Sequence, residues 1–114
     1  TRDGTGIRDY IHVWDLAQAH VKAVESFETA LGGRNHRIIN VGAGRGVTVR
    51  ELVNAFETVV GHQIRTEDVS PRPGDVAGAF ANVDLAWTLM EWESRSTLKE
   101  AIASAIRWKN LGRE

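Results

Sequence analysis

The stretch INVGAGRGVTVREL, residues 39–52, joins an apolar run to a glycine-rich turn and then to a helical pattern. Thr48 and Glu51 have the spacing of a capping box, in which the threonine oxygen accepts from the Glu51 amide and the glutamate side chain reaches back. Behind them apolar residues recur at helical spacing until Gly61. The stretch therefore predicts a strand, a tight turn and an amphipathic helix, which together suit a mixed α/β or α+β fold.

The glycines raise the question of a dinucleotide site. Such a site needs the pattern G-x-G-x-x-G, with the third glycine at the start of the helix. Gly42 and Gly44 fit the first two positions, but Val47 occupies the third and Gly46 falls one residue early. The Thr48 capping box also engages helix amides that a pyrophosphate would need. We therefore predict that the loop is a structural connector and that the chain holds no cofactor-binding residue.

The remaining periodicities predict a few short strands and, in all, four helices. Strands are predicted over residues 7–14, 37–41 and 64–69. Helices are predicted over about residues 15–31, with Asp15 as N-cap and Gly32 as the stop, over the stretch from Val49 to Val60, near 84–92 and over about 97–109. The segment SPRPGD, residues 70–75, is predicted to be irregular because of its two prolines and its glycine.

The composition is that of one ordinary globular domain. The chain has 114 residues, of which 42% are apolar and 25% charged, and its formal net charge is −1 with no block of either sign. This balance argues against nucleic acid or an anionic membrane as a partner. The lack of cysteine excludes disulfides and thiolate metal sites and suits a cytoplasmic protein, and the acidic residues show no metal-ligand grouping. The chain starts at Thr1 without a methionine, so we expect it to be a fragment of a longer protein.

The segment DGTGIRDYIHVWDLAQAHVKAVE, residues 3–25, resembles a stretch in the second half of UDP-glucose 4-epimerases, members of the extended short-chain dehydrogenase/reductase family. Residues 39–61 resemble the family's strand, glycine turn and helix, residues 71–82 its phosphate-binding loop, and residues 85–102 its closing helices. The resemblance covers essentially the whole chain. It implies that residues 1–114 are the C-terminal UDP-sugar-binding portion of such an enzyme, without the N-terminal NAD-binding domain and most of the Rossmann fold.

The resemblance also implies a reaction for the full-length enzyme. Bound NAD oxidises C4 of a UDP-hexose, the 4-keto intermediate rotates, and the hydride returns to the other face. The family's Ser/Thr and Tyr-x-x-x-Lys catalytic set lies upstream of this sequence, in which Tyr10 is the only tyrosine and Trp14 follows it four residues later. We therefore expect no catalytic residue in the chain, no NAD bound to it alone, and no activity of the isolated chain.

Three residues are expected to bind substrate by similarity. Arg8 in GIRDY and Arg72 in PRPGD match the family's two phosphate-binding arginines, and Asp75 matches the carboxylate that holds the nucleotide ribose. Arginine suits a diphosphate because its planar fork can bind two phosphate oxygens. Taken without the resemblance, Arg8 next to Asp9 favours a solvated salt bridge, and Asp75 after Pro-Gly is open to a turn-closing role.

Two departures from the family pattern bear on specificity and on a helix end. Ala79 stands where family members carry a residue near the hexose, and small residues there tend to accept N-acetylhexosamines. The resemblance then implies UDP-GlcNAc and UDP-GalNAc as further substrates, unless the neighbouring Phe80 fills the space. Glu91 stands where the family has a left-handed glycine at a helix end.

Two other functions stay open. A nucleotide-sugar 4,6-dehydratase or a UDP-glucuronate decarboxylase shares the Arg-Asp-Tyr/Trp strand and the Pro-Gly loop, although GDVAGAFAN, residues 74–82, is more similar to the epimerases. A binding or assembly module without a substrate is the alternative from a different class. The expected partners are a UDP-sugar and an N-terminal NAD-binding domain, and homodimerisation is left open because a separated piece exposes apolar surface.

Overall fold

Five helices and two very short strands form the regular structure of residues 1–112, the part of the chain that the computed structural model describes. In chain order they are β1 (Ile7–Arg8), α1 (Val13–Glu25), α2 (Phe27–Leu31), β2 (Val47–Thr48), α3 (Val49–Val60), α4 (Asp84–Met90) and α5 (Leu98–Leu111). The two strands pair antiparallel, with Ile7 opposite Thr48 and Arg8 opposite Val47. The predicted mixed α/β class is confirmed.

The capping box predicted for α3 is confirmed. The Thr48 hydroxyl accepts from the Glu51 amide at 3.1 Å, and the Glu51 carboxylate accepts from the Thr48 amide at 2.9 Å. Gly61 ends the helix in the left-handed conformation, with φ of 81°. Helix α5 begins with the same motif at Thr97 and Glu100, and it packs against α3. Local sequence signals thus fix where both of these helices start.

The first predicted strand and helix are wrong in their bounds. The strand ends at Arg8. The side chain of the next residue, Asp9, accepts hydrogen bonds from the amides of Ala43 and Ala81 in two separate loops, and helix α1 begins shortly afterwards. The His12 imidazole accepts from the Trp14 amide at 2.9 Å, so His12 is the N-cap and Asp15 lies inside α1. The helix also breaks at Ser26, which gives five helices instead of four; Gly32 ends α2 as predicted.

The strands predicted over residues 37–41 and 64–69 are absent from the described structure. The first segment is not paired in a sheet, and Ile38 is 79% exposed, while Ile39 and Val41 pack against the core. In the second segment the Ile64 amide donates to the side chain of Glu57 instead of to a neighbouring strand. A strand needs a partner for its backbone groups, and neither apolar run has one within residues 1–112.

The N-terminal turn is tied to the start of α3. The Arg2 guanidinium donates to both carboxylate oxygens of Glu51, at 2.7 and 2.6 Å. The Asp3 carboxylate accepts from the hydroxyls of Thr48 and Thr5. These contacts extend the capping box and position β1 beside the helix.

The described residues bury only a small hydrophobic core. The main core cluster joins Ala19, Ala30, Ala86, Met90 and Trp92, where α1, α2 and α4 meet. The accessible surface is 8675 Å², against about 6,200 Å² for a typical monomer of this mass. The radius of gyration is 16.9 Å, against about 13 Å for a compact domain of this length. Large apolar side chains on α1 and α2 remain open to solvent, among them Trp14, Val24 and Phe27.

Candidate functional site

Strand β1 brings the Pro-Gly loop next to Arg8. The Ile7 amide donates to the carbonyl of Ala77 at 3.0 Å, and the Ile7 carbonyl accepts from the amide of Ala79 at 3.2 Å. This parallel bridge pairs Ile7 with Gly78, on the side of β1 opposite to β2. A side chain at Gly78 would collide with Ile7, so glycine permits the close approach. The bridge explains how residues near position 8 and positions 72–79 share one site.

Arg8 and Arg72 converge on Asp75. Nη2 of Arg8 lies 3.2 Å from one carboxylate oxygen of Asp75, and Nε of Arg72 lies 3.1 Å from the other. Nη1 of Arg8 also donates to the carbonyls of Ile7 and Val76, at 2.7 and 3.3 Å. The structure therefore brings together three of the four residues named from the resemblance. Both guanidinium groups reach the surface beside this carboxylate, and each has a planar set of N–H donors of the kind that phosphate oxygens accept from.

The pairing of Arg8 with Asp9 that the residue pattern favours is wrong. Asp9 accepts from the amides of Ala43 and Gly44, at 2.8 and 3.1 Å, and from the amide of Ala81 at 3.1 Å. Its carboxylate thus binds the glycine loop to the loop that follows the Pro-Gly segment. A Cβ at Gly42 would collide with this carboxylate, which gives that glycine a structural reason.

Sequence reasoning missed this role of Asp9. The three amides lie 34, 35 and 72 positions away along the chain, and nothing in the local pattern around Asp9 indicates them. The amides of Ala43 and Gly44 are engaged by Asp9, and the Thr48 amide is engaged by Glu51. The glycine loop is thus fixed in place as the connection between residues 39–41, which pack against the core, and α3.

Ala79, the fourth residue named from the resemblance, is exposed and lies one position beyond the bridge to Ile7. Its neighbour Phe80 is 59% exposed, and the Phe80 ring lies against Gly46, where an added Cβ would come within 2.9 Å of it. The Phe80 ring therefore contacts the glycine loop at Gly46.

His12 and His20 both make hydrogen bonds to helix α1. His12 caps the helix, and Nδ1 of His20 lies 2.8 Å from the Leu16 carbonyl, one turn back. These contacts give both histidines a structural role.

Two further kinds of site find no support in the part of the chain that the structure describes. Among residues 1–112, no three His, Cys, Asp or Glu side chains gather as a metal ion would require. None of the helices there combines the length and the apolar character needed to cross a membrane.

Residues 1–42 match the model of the NAD dependent epimerase/dehydratase family. The UDP-glucose 4-epimerase of Bacillus subtilis is 43% identical over 110 residues, which are 96% of this chain and 32% of that protein. Among solved structures, the UDP-glucose 4-epimerase of Bifidobacterium longum in complex with NAD+ and UDP superimposes with a TM-score of 0.85 and 33% identity, over 99% of this chain and 32% of that chain. The structure of the UDP-Glc/GlcNAc 4-epimerase of Campylobacter jejuni superimposes with a TM-score of 0.80 and 31% sequence identity, over 97% of this chain and 33% of that chain.

These similarities confirm the resemblance. The fold is that of an extended short-chain dehydrogenase/reductase, and it matches the C-terminal part of the epimerase structures. The family model matches the first 42 residues, and similar proteins of Bacillus subtilis, Caenorhabditis elegans and Yersinia enterocolitica carry the name UDP-glucose 4-epimerase. The chain spans about a third of the length of the relatives it matches.

Proposed function

We propose that residues 1–114 are the C-terminal UDP-sugar-binding portion of an NAD-dependent epimerase that inverts C4 of UDP-hexoses. Arg8 and Arg72 bind the diphosphate, and Asp75 accepts hydrogen bonds from the ribose. The observation that carries the proposal is the meeting of Arg8 and Arg72 at one carboxylate, although they are 64 positions apart in the sequence.

The chemistry of the reaction belongs to a second domain in this proposal. NAD, bound by an N-terminal domain of the full-length enzyme, takes up and returns the hydride at C4. The residues of this chain bind and orient the nucleotide so that the sugar reaches that domain, and the chain alone is inactive. The large exposed apolar side chains of α1 and α2 support such a partner, because a separate domain would cover surface that a typical monomer buries.

Ala79 sets the sugar range in this proposal. A methyl group leaves room for an acetamido substituent on the hexose, and the neighbouring Phe80 ring lies against Gly46. The relative from Campylobacter jejuni, named as acting on both UDP-Glc and GlcNAc, is in keeping with such a range in a similar protein.

Calorimetric titration of the chain with UDP tests the diphosphate site. Removing either guanidinium, in Arg8→Ala or Arg72→Ala, should weaken UDP binding about tenfold or more, because a hydrogen bond to a charged group contributes about 1.5–3 kcal/mol. The control is Arg50→Ala, which removes an arginine paired with Asp68 at 2.8 Å away from the site. Equal UDP affinity in all three variants would contradict the proposal and favour a binding module without this substrate.

A further inference from the structure

The carboxylate of Asp75 lies where two guanidinium groups meet, which is the position an oxyanion of a ligand would take. We propose that Asp75 is an internal competitor for Arg8 and Arg72: it holds the two arginines together and gives them up to the diphosphate when a UDP-sugar binds. This inference rests on the proposed function, since it concerns the same site, and it adds the exchange step by which the site accepts its ligand.

The geometry shows a shared and exchangeable partner. One oxygen of Asp75 faces Arg8 at 3.2 Å and the other faces Arg72 at 3.1 Å, so both lone-pair sets of the carboxylate are used. The Arg72 side chain is 82% exposed, and those of Arg8 and Asp75 are 35% exposed. Ion pairs this open to solvent contribute little stability, so breaking them costs little.

A diphosphate is the stronger partner for the same two groups. It carries more than one negative charge and several acceptor oxygens, whereas Asp75 carries one charge and two oxygens. Two arginines around one carboxylate leave a net positive charge, so the cluster still attracts an anion while Asp75 is in place. When a UDP-sugar binds, the two arginines therefore exchange the Asp75 carboxylate for the diphosphate.

The two arginines differ in what holds them. Arg8 keeps its hydrogen bonds to the carbonyls of Ile7 and Val76 when Asp75 leaves, so its guanidinium stays in place. The hydrogen bonds that the structure gives the Arg72 guanidinium both go to Asp75, at 3.1 and 3.5 Å. Asp75 thus positions Arg72 in particular, and Arg72 is the group that moves during the exchange.

Calorimetric titration of the 114-residue chain with inorganic pyrophosphate, and separately with UDP, tests this role. Pyrophosphate probes the arginines without a ribose. Asp75→Asn and Asp75→Ala should bind pyrophosphate about two- to fivefold more tightly than the wild type, because the competitor is gone. The ratio of UDP affinity to pyrophosphate affinity should fall in both variants, because the ribose contact is lost. Equal helical circular dichroism identifies the variants that are folded.

The matched control is Asp68→Asn, which makes the same charge change at the exposed ion pair with Arg50. It should bind pyrophosphate as the wild type does; an equal gain in Asp68→Asn would attribute the effect to overall charge and overturn the inference. Unchanged or weaker pyrophosphate binding in both Asp75 variants would also overturn it, while leaving the proposed function intact if UDP binding still depends on Arg8 and Arg72. If the wild type binds neither ligand, the proposed function fails and the inference fails with it.

Discussion

The hydroxyl of Ser94 donates a 2.9 Å hydrogen bond to the carboxylate of Asp15, although the two residues are 79 positions apart. The amides of Arg95 and Ser96 donate to the same carboxylate oxygen, at 3.2 and 2.9 Å. Burial alone would raise the pKa of Asp15, but the hydrogen bonds from Ser96, Ser94 and Arg95 outweigh it and lower the pKa. The Asp15 carbonyl also accepts from the indole of Trp92 at 3.0 Å. The first turn of α1 and the segment before α5 therefore form one unit.

Replacing Asp15 should destabilise the chain markedly. In Asp15→Ala the free energy of unfolding should fall by about 2–3 kcal/mol, because three donors lose a charged acceptor at a buried position. Denaturation in urea, followed by circular dichroism, measures the change. The control Asp68→Ala removes an exposed carboxylate and should change stability by less than about 0.5 kcal/mol. A loss in Asp15→Ala as small as that expected for Asp68→Ala would show that the Asp15 contacts add little to stability.

Glu91 carries backbone strain that a glycine would relieve. It is the one residue other than glycine with positive φ among the described residues, with φ of 53° at the end of α4. Glu91→Gly should raise the free energy of unfolding by up to about 1 kcal/mol. The left-handed conformation costs an L-residue about 1–2 kcal/mol, and the greater conformational entropy of glycine in the unfolded chain offsets part of that gain.

The matched control for this gain is Glu93→Gly, two residues further on, where φ is not positive. It should lower the free energy of unfolding by about 0.5–1 kcal/mol through added freedom of the unfolded chain. Thermal denaturation of both variants gives the comparison. A loss of stability in Glu91→Gly equal to that in Glu93→Gly would rule out strain at position 91.

Acid should loosen the junction between the N-terminal turn and α3. Hydrogen bonds from Thr48 and Thr5 lower the pKa of Asp3 to about 2, and the Arg2 guanidinium, with the Thr48 amide, lowers that of Glu51 to about 2. Both carboxylates have folded pKa values below their ordinary values of 3.8 and 4.5. Their contribution to stability is therefore complete above about pH 5 and is lost as the pH falls towards 2.

Thermal midpoints measured between pH 6 and pH 2.5 check this dependence. The wild type should lose stability across the window, and the double variant Asp3→Asn/Glu51→Gln should show a smaller loss. In Arg2→Ala the pKa of Glu51 should return towards its ordinary value. The loss of thermal stability between pH 6 and pH 2.5 should therefore also be smaller in this variant than in the wild type. The same slope in all three proteins would mean that other groups dominate the acid response.

The proposed sugar range is tested at Ala79. In the full-length enzyme, Ala79→Tyr should reduce turnover of UDP-GalNAc by at least about tenfold while leaving turnover of UDP-galactose within about threefold, because the tyrosine ring takes the space that the acetamido group needs. Phe80→Ala is the companion variant, since Phe80 is the alternative occupant of the space. Equal effects of Ala79→Tyr on both substrates would remove Ala79 as a specificity residue.

Local signals explain what the sequence could predict about the fold. The capping boxes at Thr48 and Thr97 are complete within four residues, and both helices begin where the sequence indicates. The strands predicted over 37–41 and 64–69 failed for the opposite reason, since an apolar run becomes a strand only if another strand lies beside it. The break at Ser26 leaves no strong signal in an otherwise continuous helical pattern.

The residue pattern alone does not predict the candidate site. Arg8 next to Asp9 favours a local ion pair, and only the resemblance to the epimerases singled out Arg8 together with Arg72. The roles of Asp9 and Asp15 depend on partners at least 34 positions away, which no local spacing indicates. In both cases a carboxylate that would pass as a solvated surface group instead organises two distant segments.

The small hydrophobic core has a thermodynamic consequence. An unfolded chain of this mass exposes about 18,000 Å², so the folded chain, at 8675 Å², removes only about half of that area from water. The heat capacity of unfolding and the sensitivity to urea both scale with the area newly hydrated. We therefore expect the chain on its own to unfold over a broad range of temperature and to respond weakly to denaturant, and we expect a protein that covers the outer faces of α1 and α2 to narrow that range as it binds.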